Sequence, residues 1–153
     1  MHIIRLAIAS ISLTTALSGE AAFASPGNSP LAIRVSDPGL AWGPCPPIFP
    51  GACQIAVLNG DPAKPNADVF LRVGAGYVLP AHKHTSAERM VLVEGQLQVR
   101  YDGSPTRILK VGNYAYGPAG LPHEAKCLGR SRCTLFIAFE GPVDALPVTA
   151  KAR

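Results

Sequence analysis

The chain has 153 residues and a formal net charge of +4, with 48% hydrophobic and 16% charged residues. This length suggests one domain, and the apolar fraction is sufficient for a hydrophobic core. The positive charge is modest and spread along the chain, without the basic stripe and interleaved aromatics of nucleic-acid-binding proteins, so we expect no nucleic-acid partner. Glycine and proline number 15 each. Such a composition is typical of an all-β domain with many turns and disfavours a helical protein.

Residues 1–24 are typical of an export signal. A basic start that includes Arg5 precedes an apolar run, and Ala22-Phe23-Ala24 then supplies the small-x-small pattern of a cleavage site. The apolar run is too short to span a bilayer, which needs about 20 residues. We therefore expect cleavage near Ala24, an exported (periplasmic or secreted) protein and no membrane partner afterwards. The alternative is an uncleaved amphipathic anchor.

Residues 25–52 are predicted to form an irregular N-terminal arm, because closely spaced prolines interrupt any long element. Trp42 is expected to pack this arm against the domain. From Cys53 onward, short β-rich runs alternate with turn signals, and no segment has a helical period over twelve or more residues. This pattern predicts a β-sandwich or barrel over residues 53–145, followed by a tail at 146–153. The most evident strand candidates are 54–58, 67–73, 89–93, 96–101, 106–110 and 133–139.

A cluster of potential metal ligands lies between the second and third of these strands. His82 and His84 are one residue apart, so in a strand their side chains share one face, and Glu88 follows a short bend. Two imidazoles and a carboxylate suit a divalent transition metal and leave coordination positions open. His123 follows a turn-rich segment and begins a strand that could face the first. Lys83 should point away from its two histidine neighbours.

Two longer patterns surround these residues. The segment from Gly76 to Gly95 has the spacing G-x5-H-x-H-x3-E-x6-G, and the segment from Gly112 to His123 has the spacing G-x5-P-x-G-x2-H. Both resemble the two signature motifs of the cupin superfamily, in the same order. The resemblance implies a single cupin-type jelly-roll β-barrel, of the small single-domain (type 2-like) kind found in exported bacterial proteins. One departure is Cys127, which stands where the second motif usually ends in Asn.

The resemblance also implies a metal site inside the barrel. Its ligands would be His82, His84, Glu88 and His123, around one divalent transition metal ion. Iron, manganese, nickel, copper, cobalt and zinc all suit this ligand set, and the spacing does not separate them. The alternative is a barrel of the same fold without metal. Dimerisation through barrel edges is the default by resemblance, so a homodimer is a further expectation.

The four cysteines are an even number in a chain expected to be exported, which favours disulfides. Four cysteines allow three pairings, and we favour the local one, Cys45–Cys53 and Cys127–Cys133, because residues 128–132 read as a hairpin loop. The departure at Cys127 supports its role as a structural disulfide partner. The competing interpretation, a thiolate ligand or redox pair, lacks a Cys-x-x-Cys spacing.

Two classes of function follow. The first is a metal-dependent enzyme that acts on a small organic molecule, with dioxygenase-type chemistry expected first and isomerase or lyase chemistry as an alternative. The second is a non-catalytic module that binds or senses a metal or small ligand in the periplasm. Tyr77 and Tyr116 flank the motifs, where packing at strand ends is their expected role, and no catalytic residue is assigned. The predicted pocket walls are Phe70, Arg72, Met90, Leu92, Leu97, Val99, Leu135 and Ile137.

Overall fold

A computed structural model describes residues 30–148. The predicted export signal therefore lies outside the described residues. All paired strands within this range are antiparallel, and they form two sheets. The first sheet contains, in spatial order, β1 (Gly43–Pro44), β2 (Cys53–Asn59), β3 (Asp68–Val73), β10 (Cys133–Phe139), β5 (Glu88–Glu94) and β8 (Tyr114–Gly117). The second contains β11 (Leu146–Pro147), β4 (Val78–Lys83), β9 (His123–Cys127), β6 (Gln96–Tyr101) and β7 (Arg107–Lys110).

The two sheets enclose one hydrophobic core. Alternate residues of each strand point inward, so the core is built from side chains of both sheets. Leu92, Leu97 and Val69 are among the largest fully buried side chains. Within residues 30–148 there is no helix, and hence none that is long and apolar enough to cross a membrane. The all-β jelly-roll prediction is confirmed.

The tight turn between β5 and β6 depends on a motif glycine. Gly95 has a φ of +83°, a left-handed conformation that glycine adopts without steric cost. A Cβ at this position would lie 2.5 Å from the carbonyl oxygen of Arg132 and 2.9 Å from Sγ of Cys133. Any side chain here would force the neighbouring strand away, which explains why the first motif ends in glycine.

Both predicted disulfides are present, in the local pairing. Cys127 and Cys133 join the ends of β9 and β10 across the loop 128–132. Cys45 and Cys53 join the arm to the start of β2, where β1 also pairs with β2. The arm is therefore fastened to the barrel at two adjacent points.

The arm packs on the outer face of β3, and this corrects the predicted orientation of two residues of that strand. The ring of Trp42 stacks on Phe70 with 6.5 Å between centroids, and the guanidinium of Arg72 lies 3.8 Å from the centre of the Trp42 ring. Trp42 thus packs the arm against the barrel, as predicted. Phe70 and Arg72 consequently point away from the interior, and their assignment to the pocket wall was wrong.

Candidate metal centre

The four predicted ligand residues come together from both sheets. His82 on β4 lies directly opposite His123 on β9 in the antiparallel register. His84 follows the end of β4, and Glu88 begins β5 in the other sheet. The pairing of β4 with β9 shifts register between Leu79 and His82. Such an irregularity changes which side chains face inward, and it allows both Leu79 and His82 to reach the interior.

A backbone carbonyl orients each imidazole. Nδ1 of His82 lies 2.6 Å from the carbonyl oxygen of Pro80, and Nδ1 of His123 lies 3.3 Å from that of Leu121. Nδ1 of His84 makes a short contact with the carbonyl oxygen of Asp144. A carbonyl only accepts hydrogen bonds, so each Nδ1 carries the proton and donates it. Each Nε2 then keeps its lone pair, which is the arrangement common to metal-binding histidines.

The distances within the cluster suit a single ion. Each of the three imidazoles presents one ring nitrogen to the cluster, and these three nitrogens lie within 4.8 Å of one another. Glu88 Oε2 lies 3.4 Å from Nε2 of His84, and Glu88 Oε1 lies 3.3 Å from Nε2 of His123. Two ligands at about 2.1 Å from one ion are separated by roughly 3.0–3.4 Å at ordinary coordination angles. A group of three buried histidines could therefore hold a metal ion, with Glu88 beside two of them.

Burial determines the protonation states of the metal-free site. It lowers the pKa of His82 to about 4 and that of His123 to about 3, the latter helped by the other two imidazoles, and it also lowers the pKa of His84. Burial raises the pKa of Glu88 to about 8. At neutral pH the imidazoles are thus neutral and ready to bind a cation, whereas the carboxyl group holds a proton.

Two buried oxygens of this region have no hydrogen-bond partner among the described residues. They are Glu88 Oε1 and the hydroxyl of Tyr101, whose ring lies 4.9 Å from that of His123. A buried oxygen without a partner costs free energy unless something else binds it. Glu88 Oε1 lies beside Nε2 of His123, so a cation bound by the imidazoles would also give this oxygen a partner.

Close backbone approach keeps Glu88 in place. Gly117 lies directly opposite Glu88 in the pairing of β5 with β8. A Cβ on Gly117 would lie 2.8 Å from both Cγ and Oε1 of Glu88 and 3.1 Å from the hydroxyl oxygen of Tyr101. The two 2.8 Å separations are shorter than real Cβ contacts, so the carboxyl group occupies space that only glycine leaves free.

Asp144 supports the site from the C-terminal segment. Its carboxylate accepts a hydrogen bond of 2.9 Å from the backbone N–H of Thr85 and one of 2.6 Å from the Thr85 hydroxyl. These bonds hold the carbonyl of Asp144 against Nδ1 of His84. No local pattern in the sequence points to Asp144 as a site residue, because 60 positions separate it from His84.

The cluster opens into a small cavity of about 50 Å³. This space has room for only a few water-sized groups, so it suits a compact ligand. Met90, Leu97, Val99, Leu135 and Ile137 line it, as predicted. Leu92 is fully buried but does not line the cavity. On β3 the inward residue is Leu71, because Val69, Leu71 and Val73 form the apolar face of that strand; a strict period-two count would have found it.

Other lining residues were not predicted. Phe49 reaches the cavity from the arm, a segment in which the sequence analysis had singled out only Trp42. The two flanking tyrosines are placed differently: the hydroxyl of Tyr77 donates a hydrogen bond to the carbonyl of Pro50, and Tyr116 is exposed beside Arg89. Neither tyrosine lines the cavity. Tyr77 packs against the core, as the sequence predicts, whereas Tyr116 is largely exposed and the packing expected for it is not seen.

An all-β barrel of this topology, with three histidines converging inside it, defines the chain as a cupin. The sequence model of the family described as the ChrR cupin-like domain matches residues 32–144. Because this match covers most of the chain, the protein belongs to the ChrR cupin-like domain family.

Known proteins resemble the chain in sequence and in fold. It is 26% identical over 99 residues to the dimethylsulfoniopropionate lyase DddQ of Ruegeria pomeroyi, an alignment covering 63% of this chain and 49% of the relative. The chain thus spans about half the length of this curated relative. The crystal structure of DddQ from the same organism superposes with a TM-score of 0.59 at 21% identity, covering 72% of this chain and 61% of the other. An RmlC-like cupin from Shewanella frigidimarina superposes with a TM-score of 0.56 at 20% identity, covering 69% and 86%.

Proposed function

We propose that this protein is a metal-dependent lyase that acts on a small organic molecule. In this proposal His82, His84, His123 and Glu88 bind one divalent transition metal ion. The observation that carries the proposal is the convergence of three neutral, buried imidazoles whose Nδ1 atoms are all engaged by backbone carbonyls. The lyase class is supported by the name of the curated relative, DddQ, and oxygenase chemistry has no comparable support.

The bound metal would act as a Lewis acid that polarises an oxygen of the substrate. The residues of the chain supply the remainder of the site. The three imidazoles stay neutral at pH 7, because burial disfavours their charged form. The apolar walls exclude water and contact the carbon skeleton of the substrate, since Leu71, Leu97 and Leu135 leave no polar group on that side.

A non-catalytic binding module is the second candidate. One observation favours it: among the residues that line the cavity, the only ionisable groups are the three histidines and Glu88. If all four bind the metal, the lining itself offers no further group to take a proton from a substrate. The two candidates share the metal site and differ only in turnover.

The first experiment measures metal content by elemental analysis after purification from the native compartment. We expect about one ion per chain, and loss of that ion in His123→Ala. Lys83→Ala is the matched control, because Lys83 lies between two of the histidines without lining the cavity. Full metal occupancy in His123→Ala would refute the ligand assignment.

The second experiment separates the function classes. The metal-loaded protein is incubated without oxygen with dimethylsulfoniopropionate and related short carboxylates, and the released leaving group is quantified by gas chromatography. Release that continues without oxygen supports a lyase. Oxygen consumption with a panel of diketones, phenols and thiols would instead indicate a dioxygenase. Bound metal without turnover on any compound would favour the binding module.

We further propose that the protein acts outside the cytoplasm. The support is the sequence pattern of residues 1–24 together with two disulfides, which persist in oxidising compartments. N-terminal sequencing of the protein recovered from a periplasmic or culture fraction tests the proposal. A chain that begins near Ser25 is the expected result, and an intact Met1 in the cytoplasmic fraction would contradict it.

A further inference from the structure

We infer that Phe49 limits the length of the ligand that the cavity accepts and that this ligand is a short-chain carboxylate. The inference rests on the proposed metal site. Phe49 is only 4% exposed, although it belongs to an irregular, proline-rich loop. Its ring meets His82 edge-on, with 4.7 Å between the ring centroids. It lines the cavity beside that imidazole, whereas the apolar residues around it belong to barrel strands.

The loop that carries Phe49 is held at several points. The Cys45–Cys53 disulfide closes it against β2, and the backbone N–H of Phe49 donates a 2.8 Å hydrogen bond to the carbonyl of Pro46. The hydroxyl of Tyr77 donates another 2.8 Å hydrogen bond to the carbonyl of Pro50. A ring positioned by these tethers is a fixed wall, and a ligand must fit the space that it leaves.

Charge and surface chemistry together define the ligand class. A divalent cation held by three neutral imidazoles and one carboxylate keeps a net charge of about +1, which favours an anionic oxygen ligand at the open position. The rest of the lining is aliphatic or aromatic, and it contains no lysine or arginine. A ligand with one carboxylate for the metal and a compact apolar body between Phe49 and the strand residues fits both features.

The experiment uses the protein recovered from its native compartment and loaded with Co²⁺, and a series of straight-chain carboxylates from acetate to octanoate. Binding is followed through the visible absorption of cobalt, and metal content is measured first in every sample. In the wild-type protein we expect the affinity to rise about four-fold for each added methylene until the chain reaches Phe49, and then to fall.

Two variants test the position of that limit. In Phe49→Ala, the longest carboxylate that still binds tightly should be several carbons longer than in the wild-type protein. In Phe49→Leu, this length limit should increase by fewer carbons. The leucine variant also keeps an apolar side chain in the loop, so it serves as the test if the alanine variant does not fold. Ile48→Ala is the matched control, because Ile48 is a half-buried neighbour that does not line the cavity. We expect this control to keep the wild-type limit.

The outcomes separate this inference from the proposed function. The same length limit in the wild-type protein and in both Phe49 variants would overturn the role of Phe49. A cobalt-loaded wild-type protein that binds no carboxylate would overturn the ligand class while metal binding still stands. Failure to load any metal would refute the proposed function, and the inference would fall with it.

Discussion

Replacing Glu88 with glutamine should remove a pH dependence from the stability of the metal-free protein. The carboxyl group of Glu88 is 3% exposed, and burial raises its pKa from 4.5 to about 8. A folded state that holds this proton more tightly than the unfolded chain is stabilised below pH 4.5, and this stability is lost as the pH rises through about 8. Glutamine resembles the protonated acid in shape and does not titrate, so the variant should lack this loss.

The size of the effect follows from the pKa difference. Each pH unit between the two pKa values changes the free energy of unfolding by about 1.4 kcal/mol. The histidines change the free energy of unfolding with pH only below about pH 6.5, because there the unfolded chain binds protons that the buried imidazoles do not. Between pH 6.5 and pH 9, Glu88 alone should therefore lower the stability of the wild-type protein by about 2 kcal/mol relative to Glu88→Gln.

The assay is urea denaturation of both chelator-treated proteins at pH 6.5, 7.5 and 9, with intact disulfides. The difference between the two proteins isolates Glu88, because all other titrating groups are shared. Calorimetry offers an independent measurement: metal binding to the wild-type protein at pH 7 should release about 0.9 proton per ion. A stability difference that does not change between pH 6.5 and pH 9 would refute the assignment of a protonated, buried Glu88.

Three further predictions concern the surroundings of the site and the assembly. Asp144→Ala removes the carboxylate that anchors the loop behind His84, so metal affinity should fall about 10- to 100-fold. Asp102→Ala is the control, because Asp102 is exposed, and it should leave the affinity unchanged. Metal affinities of the two variants are compared in competition with a chelator, and equal values would contradict this role of Asp144. Gly117→Ala should weaken metal binding about 10-fold or more, because its Cβ would displace the carboxyl group of Glu88. Gly43→Ala is the control, because its Cβ would make only an ordinary contact, 4.0 Å from the carbonyl oxygen of Ile55. Unchanged metal content in a folded Gly117→Ala protein would refute this prediction. The homodimer expected from the family resemblance stays a prediction, and sedimentation analysis showing only monomers at micromolar concentration would reject it.

The sequence by itself indicated the fold class and the four side chains that converge at the candidate metal centre. Two spaced motifs predicted a cupin barrel, and the four side chains that they contain do converge. Their convergence could be predicted because the motifs are local. The two histidines of a His-x-His pair on a strand point to the same face, and a glycine at a tight turn indicates the backbone conformation of that turn. Local pairing of the cysteines was favoured for a similar reason, since the loop of residues 128–132 is short.

The packing on the outer face of β3 was decided by the tertiary structure. A one-residue change of register moves every side chain of a strand to its other face. Phe70 and Arg72 were predicted to point inside, where the folded protein has Leu71. Trp42 covers this outer face and makes a cation–π contact with Arg72 there. That contact joins residues 30 positions apart, and no local pattern could indicate it.

The roles of Phe49 and Asp144 likewise exist only in the folded protein. Both belong to irregular segments outside the motifs, and both reach the site through contacts that close long loops of chain. The local sequence around each residue therefore carries no periodic signal for its position. Local spacing determined which side chains can bind a cation, whereas the packing of distant segments determined how those side chains are oriented and what shape of ligand can reach them.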